Sequence, residues 1–319
     1  MIQVQNVQQQ PSQDVREQLY SQLEDYMGLS STKKKMDSSE KSGGTTLKRK
    51  SSEQSSSSSS SKALSKNTLA IKVNGKTVKG SAQNIVGRVV EAEMGASFRE
   101  EALKAQAVAA YTYIRYNNQK GTIPSLPAKS SVSAKVEDAV EQVIGEALYY
   151  QGEYINATYC ASNAGNSVDS ENVWGGYLPY LRSVESPGDT TLKAYGAVKR
   201  FSEEEIAQYI EENLDVDPYD YSDPDEWFED EEYINGRYVD SIRVCGKRLS
   251  GREVREELME FALPSAAFEV EYDDGEFIFT TYGYGHGVGM SQQGADYFAQ
   301  RGWDYEEILT HYYTGVTLK

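Results

Sequence analysis

The chain has 319 residues, a formal net charge of −17, and only two histidines and two cysteines. Acidic residues outnumber basic ones by 49 to 32, which argues against general binding to nucleic acid or to anionic lipid. Two cysteines fit neither a disulfide framework nor a pair of Cys-x-x-Cys zinc knuckles, and no apolar run reaches the roughly 18 residues that a membrane span needs.

The first 66 residues differ in composition from the rest. Apolar residues recur at helical spacing over 12–28, which predicts one short amphipathic helix within the segment 1–29. From 30 to 66 the chain is dominated by Ser, Lys, Thr and Gly, which predicts a disordered tether. The basic start and apolar region of a secretory signal peptide are both missing. We therefore expect the ordered domain to comprise 67–319.

The ordered part opens with a hairpin signal. LAIKV and KTVKG are joined by Asn74-Gly75, the dipeptide most favoured in a two-residue β-turn. A helix is predicted from about Gln83, in which Glu93 continues an apolar stripe at helical spacing. The carboxyl group of Glu93 should therefore point toward the interior or a cleft.

A second helix is predicted to begin at Ser97, because Glu100 follows three residues later as in a capping box. Further helices are predicted near 135–145, 202–213, 291–300 and 304–313, and strands around 147–160, 237–244, 266–272 and 276–282. This mixed order without a regular βαβ period predicts an α+β fold, with helices and antiparallel hairpins forming a cleft, and neither a lysozyme-type nor a doubly wound fold.

Glu93 is the first candidate for chemistry. Ionisation of a carboxyl group on an apolar stripe costs hydration, which raises its pKa toward the range that a general acid needs. The alternative is a structural glutamate that reaches water or pairs with Arg88 or Lys104.

The second candidate is the glycine-rich run from Tyr282 to Met290, which has His286 in its middle and is followed by Ser291 and Gln292. Alternating glycines would leave one face of an extended segment as bare backbone, suited to a flat ligand such as a sugar ring. The alternative is a bulged strand whose glycines only permit tight packing.

The third candidate is the polar loop that begins Cys160-Ala161-Ser162. A cysteine there could be a nucleophile, but a single free cysteine is more often a small buried apolar residue. His311 is interpreted as structural, and the acidic stretch 203–232 as a solvated face, because the spacing of an EF-hand is absent.

Five segments occur in order between residues 68 and 316: VVEAEMGASFREEALKAQAVAAYTY, YCASNAGNSVDSENVWGG, PYLRSV, RLSGREVREEL, and GHGVGMSQQGADYFAQRGWDYEEILTHYYTGV. Together they resemble the stage II sporulation protein D and amidase-enhancer (SpoIID/LytB) family. The resemblance implies that 67–319 is a catalytic domain of this type, a lytic transglycosylase that cuts peptidoglycan glycan strands between N-acetylmuramic acid and N-acetylglucosamine and leaves anhydromuramic ends.

Carried onto this chain, the resemblance implies that Glu93 is the general acid and base, and that Lys104 and Gln106 position the sugar. Further substrate contacts are expected in the polar loop and the glycine-rich run. They are Cys160, Ser162, Gly285, His286, Gly287, Ser291 and Gln292.

The chain departs from the family pattern at four positions. Gly95 stands where the family commonly has proline, Tyr111 where it has arginine, Cys160 where it has histidine, and Gln293 where it has an aromatic residue. Two of these replace polar groups expected to line the site, so a noncatalytic, glycan-binding enhancer of a cell-wall amidase is the alternative.

No cofactor and no metal are expected, since histidine and cysteine are too few near Cys160. The expected partners are glycan strands, with a cell-wall amidase or other sporulation proteins as further possibilities. The family implies an extracytoplasmic or cell-wall location, although the sequence contains no signal-peptide or transmembrane pattern. A third alternative, a cytoplasmic scaffold, draws only on the missing signal and the serine-rich tether.

Overall fold

The computed structural model describes residues 67–319. The helix predicted over 12–28 and the tether predicted over 30–66 lie outside the described residues. Over 67–319 helices combine with several small sheets, mainly antiparallel, and none of these sheets closes into a barrel. The predicted α+β class is therefore confirmed.

Most of the predicted elements are present, with boundaries shifted by a few residues. The strands are β1 (Thr68–Val73), β2 (Lys76–Ser81), β3 (Leu148–Tyr150), β4 (Glu153–Tyr154), β5 (Tyr159–Cys160), β6 (Ala197–Ser202), β7 (Phe228–Ile234), β8 (Tyr238–Val244), β9 (Lys247–Leu249), β10 (Phe268–Asp273), β11 (Glu276–Thr281), β12 (Met290–Ser291) and β13 (Thr317–Leu318). The helices are α1 (Ala82–Glu93), α2 (Glu100–Gln119), α3 (Ala134–Val143), α4 (Ser170–Trp174), α5 (Glu203–Leu214), α6 (Pro218–Tyr221), α7 (Gly251–Glu253), α8 (Gln292–Gln300) and α9 (Tyr305–Tyr312). A π-helix, Val254–Leu258, continues α7.

The first hairpin forms as predicted. β1 and β2 pair antiparallel from Val73 opposite Lys76, and Asn74 and Gly75 both take positive φ, as a two-residue primed turn requires. The hydroxyl of Ser81 then accepts from the backbone of Asn84 and caps α1. Helix α1 therefore begins directly after the hairpin and ends at Glu93.

The predicted start of the second helix is wrong. α2 begins at Glu100, and its N-cap is Arg99 rather than Ser97. The backbone N–H of Arg99 donates to Oδ1 of Asp296 at 2.7 Å, and the Arg99 guanidinium pairs with the same carboxylate. A side chain almost 200 positions away therefore caps this helix, which no local pattern could show.

The buried apolar side chains form two clusters. The first surrounds α2, most of which is buried, and includes side chains of α1, α3, α8 and α9. The second lies between α5, the π-helix and two three-stranded sheets, ordered β10-β11-β6 and β7-β8-β9. The strands β6, β7 and β9 belong to this second unit, and the sequence patterns did not predict them.

None of the helices within 67–319 combines the length and the apolar character needed to cross a bilayer. The acidic stretch 203–232 forms α5, α6 and most of β7, and most of its acidic side chains are exposed. Within 67–319, no three side chains of His, Cys, Asp or Glu converge as a metal site would require.

Candidate active site

Glu93 is the last residue of α1, and its side chain is half-buried. Its Oε2 accepts a hydrogen bond from Nε2 of Gln292, the first residue of α8, at 3.1 Å. Desolvation raises the pKa of Glu93 to about 7, and the Gln292 bond opposes that rise. Near neutral pH this group can therefore both give and take a proton.

Glu93 lines a cleft of about 240 Å³, together with side chains of the first apolar cluster and with the π-helix, whose Val254 and Leu258 belong to the second. The lining residues are Glu93, Tyr113, Ser125, Leu126, Thr158, Tyr159, Cys160, Ala161, Trp174, Arg255, Glu256, Phe261, Tyr284, Gly285, His286 and Gln292. The aromatic rings among them offer flat apolar surfaces with polar tips, which suits a ring-shaped ligand with hydroxyl groups.

His286 lies within this cleft, and its ring centroid is 5.2 Å from that of Trp174. Burial and the nearby charge of Arg255 lower the pKa of His286 to about 4, so the ring is uncharged at neutral pH. Its Nδ1 accepts from the backbone N–H of Val288 at 3.0 Å. The tautomer present therefore carries its proton on Nε2.

The glycine-rich run is not a plain extended strand. Gly283, Gly285, Gly287 and Gly289 all have positive φ. A Cβ added at Gly287 would lie 2.2 Å from Oη of Tyr238, and one at Gly289 would lie 2.3 Å from the carbonyl oxygen of Thr158. These glycines permit close packing against protein, while Gly285 and His286 line the cleft.

Cys160 lines the cleft but is buried, with Sγ 3.0 Å from Oδ1 of Asn163. Burial raises the pKa of this thiol to about 12, so it stays protonated and unreactive at neutral pH. Ser162 is buried behind it and exchanges two backbone hydrogen bonds with Tyr284. Ser162 therefore fixes the glycine-rich run in place without lining the cleft.

Three further residues predicted to contact substrate do not line the cleft. Lys104 pairs with Glu100 and Glu101 on its own helix. Gln106 is fully buried on α2, behind the cleft-lining residue Tyr159 with which its amide interacts. The hydroxyl of Ser291 donates to Asp189 and accepts from the backbone of Gly294, which caps α8.

The π-helix also contributes to this cleft, and the sequence patterns did not predict it. Arg255 and Glu256 are both buried there, and Phe261 follows. Oε2 of Glu256 lies 2.9 Å from Nε of Arg252, and its Oε1 lies 3.4 Å from Nη1 of Arg255. Two signals pointed to this part of the chain: it lies in the segment RLSGREVREEL, which carries part of the family resemblance, and Ser250-Gly-Arg-Glu253 forms a capping box in the structure.

Two of the departures from the family pattern have local explanations. Gly95 follows α1 with φ of +70°, a value that proline cannot adopt. Tyr111 is buried and accepts at 3.0 Å from Nε of Arg115 one turn along α2. Neither residue lines the cleft.

Comparison with known proteins gives relatives that cover most of this chain. The family model described as stage II sporulation protein matches residues 76–150, which include Glu93. Stage II sporulation protein D of Bacillus amyloliquefaciens is 33% identical over 76% of this chain and 77% of that protein. The protein of the same name from Bacillus subtilis is 32% identical over 76% and 77%.

An amidase enhancer of Bacillus subtilis is 27% identical over 72% of this chain and 39% of its own length. The mixed fold and these matches define one class of protein. The chain belongs to the stage II sporulation protein D family.

Proposed function

We propose that this protein is a peptidoglycan lytic transglycosylase that uses Glu93 as its only proton-transferring residue. It would cut between N-acetylmuramic acid and N-acetylglucosamine and leave an anhydromuramic end. The observation that carries the proposal is the carboxyl group of Glu93 on an aromatic-lined cleft, with a pKa raised to about 7 by desolvation. Residues 67–319 would form the catalytic domain.

One carboxyl group is enough for this reaction. Protonated Glu93 gives its proton to the oxygen between the sugars as the bond from that oxygen to C1 breaks. The C6 hydroxyl of the muramic acid then attacks C1, and ionised Glu93 takes the hydroxyl proton, which restores the starting state. The acetamido group would assist at C1. A glycoside hydrolase instead needs a second group to activate water or to act as nucleophile.

Glu256 is a second carboxylate on the same cleft, but its surroundings disfavour a role in activating water. It is buried and held by Arg252 and Arg255, which stabilise its charge and occupy its oxygens. This pairing supports intramolecular attack over hydrolysis.

The test is digestion of denuded glycan strands by the wild type, Glu93→Gln and Glu141→Gln, with mass spectrometry of the ends. Glu141 is an exposed glutamate on α3 and serves as the matched control. We expect anhydromuramic ends from the wild type and from the control, and a rate lower by roughly 10²–10⁴ for Glu93→Gln. Reducing muramic ends, or full activity of Glu93→Gln, would refute the proposal.

The second candidate is a noncatalytic enhancer of a cell-wall amidase. It is favoured by the similarity to a protein named amidase enhancer and by the replacement of family residues at Tyr111 and Cys160. Under this proposal the cleft binds glycan without cutting it, and Glu93→Gln stimulates a purified amidase as well as the wild type does. Loss of stimulation in Glu93→Gln alone would count against it.

Peptidoglycan lies outside the cytoplasm, so both candidates place the protein at the extracytoplasmic side or in the wall. Fractionation of sporulating cells with an antibody to the folded domain tests this location. Recovery with the membrane or wall fraction is expected, and recovery only with cytoplasmic proteins would favour the scaffold alternative.

A further inference from the structure

Arg255 is an arginine whose guanidinium reaches the cleft although the residue is only 5% exposed. Its Nε donates to the carbonyl oxygen of Leu263 at 3.2 Å, and its Nη1 lies 3.4 Å from Oε1 of Glu256. These two contacts use two of the five N–H donors of a guanidinium. Its central carbon lies 5.0 Å from the centroid of Phe261, which holds the group in place.

Arg255 shares its carboxylate partner with a second arginine. Within 67–319, Glu256 pairs with Arg255 and also with Arg252, so one carboxylate serves two guanidinium groups. His286 lines the same cleft and is uncharged at neutral pH, so it supplies no counter-charge. A buried guanidinium that shares its counter-charge in this way is costly, and an anionic ligand in the cleft would reduce that cost.

We propose that Arg255 is a specificity-determining residue that binds the lactyl carboxylate of N-acetylmuramic acid in the cleft. This inference rests on the proposed function, because it concerns the sugar that the same cleft would hold. The planar fork of a guanidinium matches a carboxylate in two parallel hydrogen bonds. A glycan strand whose lactyl carboxylates are converted to uncharged amides could not form this ion pair. The buried guanidinium of Arg255 would then face a neutral group.

The test measures binding rather than turnover, in the Glu93→Gln protein. Two probes are compared by calorimetry: a short alternating glycan strand with free lactyl carboxylates, and the same strand with those carboxylates converted to methylamides. We expect the methylamide strand to bind roughly ten- to a hundredfold more weakly, the range for a hydrogen bond to a charged group.

The same comparison is made after a second change. In Glu93→Gln with Arg255→Gln the two strands should bind alike, and with Arg255→Lys an intermediate preference should remain. Arg248→Gln, which removes an exposed arginine paired with Glu232, should leave the preference unchanged.

Equal binding of the two strands to Glu93→Gln, or an unchanged preference in the Arg255→Gln variant, would overturn the inference. If thermal unfolding shows that the Arg255→Gln protein does not fold, two measurements still test the inference. They are the comparison of the two glycan strands with Glu93→Gln, and the same comparison with the Arg255→Lys variant. Wild-type protein that prefers the free carboxylates but cuts neither strand would refute the transglycosylase proposal and leave this one standing.

Discussion

At the scale of single residues, Glu93 and Gln292 show how burial and one hydrogen bond set a protonation equilibrium. Desolvation raises the pKa of Glu93 to about 7, and the amide of Gln292 favours the ionised form. Because the protonated form must donate to the leaving oxygen, the rate should fall as pH rises through about 7.

Replacing Gln292 by Leu should move this falling limb to higher pH, because the bond that stabilises the carboxylate is lost. The measurement is the pH profile of kcat/KM for strand cleavage. Gln293→Leu changes the next side chain, which is not a cleft residue, and should leave the limb in place. A limb that does not move in Gln292→Leu would show that another group controls it.

Asp189 is a second buried carboxyl group with an altered equilibrium. It accepts from Ser186, Ser291 and the backbone of Asn163, yet burial raises its pKa to about 6. Asp189 binds its proton more tightly in the folded state than in the unfolded state. Its contribution to the free energy of unfolding is therefore complete at low pH and is lost as pH rises through about 6. The loss is on the order of 3 kcal/mol.

The free energy of unfolding of the wild type relative to Asp189→Asn should therefore be larger at pH 5 than at pH 7.5. Denaturant unfolding at both values measures the difference. Equal differences at the two pH values would mean that Asp189 is not protonated on folding in this range.

At the scale of elements, the beginning of α2 shows where local patterns stop being informative. Ser97 and Glu100 fit a capping box, yet Asp296 of α8 caps the helix through Arg99. The hairpin at Asn74-Gly75 and the apolar stripe of α1 were predictable because turn chemistry and helical periodicity are local. A cap brought in by another helix depends on tertiary packing and leaves no nearby signal.

Asp296→Ala should lower the free energy of unfolding by about 1 kcal/mol, because the N-cap bond and the pairing with Arg99 are both removed. Ser97→Ala, the change at the position that the pattern favoured, should be close to neutral. Denaturant unfolding of both variants decides between the two caps, and a larger loss for Ser97→Ala would contradict the structure.

The candidate site was predictable in the same partial way. Glu93, Cys160, Gly285, His286 and Gln292 were all predicted, and all line the cleft. Arg255, Glu256 and Phe261 were not predicted, because a π-helix has no simple periodicity and its side chains reach the cleft only after the second cluster packs. The roles of the predicted residues remain predictions.

At the scale of the whole molecule, the cleft draws its lining from distant parts of the chain. Glu93 comes from the end of α1 and Tyr159 from β5, whereas Arg255 and Glu256 come from the π-helix, whose Val254 and Leu258 belong to the second cluster. A carboxyl group and a guanidinium from different elements thus line one cleft, although the chain as a whole has a net charge of −17.

The central claim is that the sugar supplies its own attacking oxygen. The most direct measurement is digestion of denuded strands in water enriched in heavy oxygen, followed by mass spectrometry of the new ends. The account predicts anhydromuramic ends that contain no heavy oxygen. Reducing muramic ends that carry the label would show that water is the nucleophile and would contradict it.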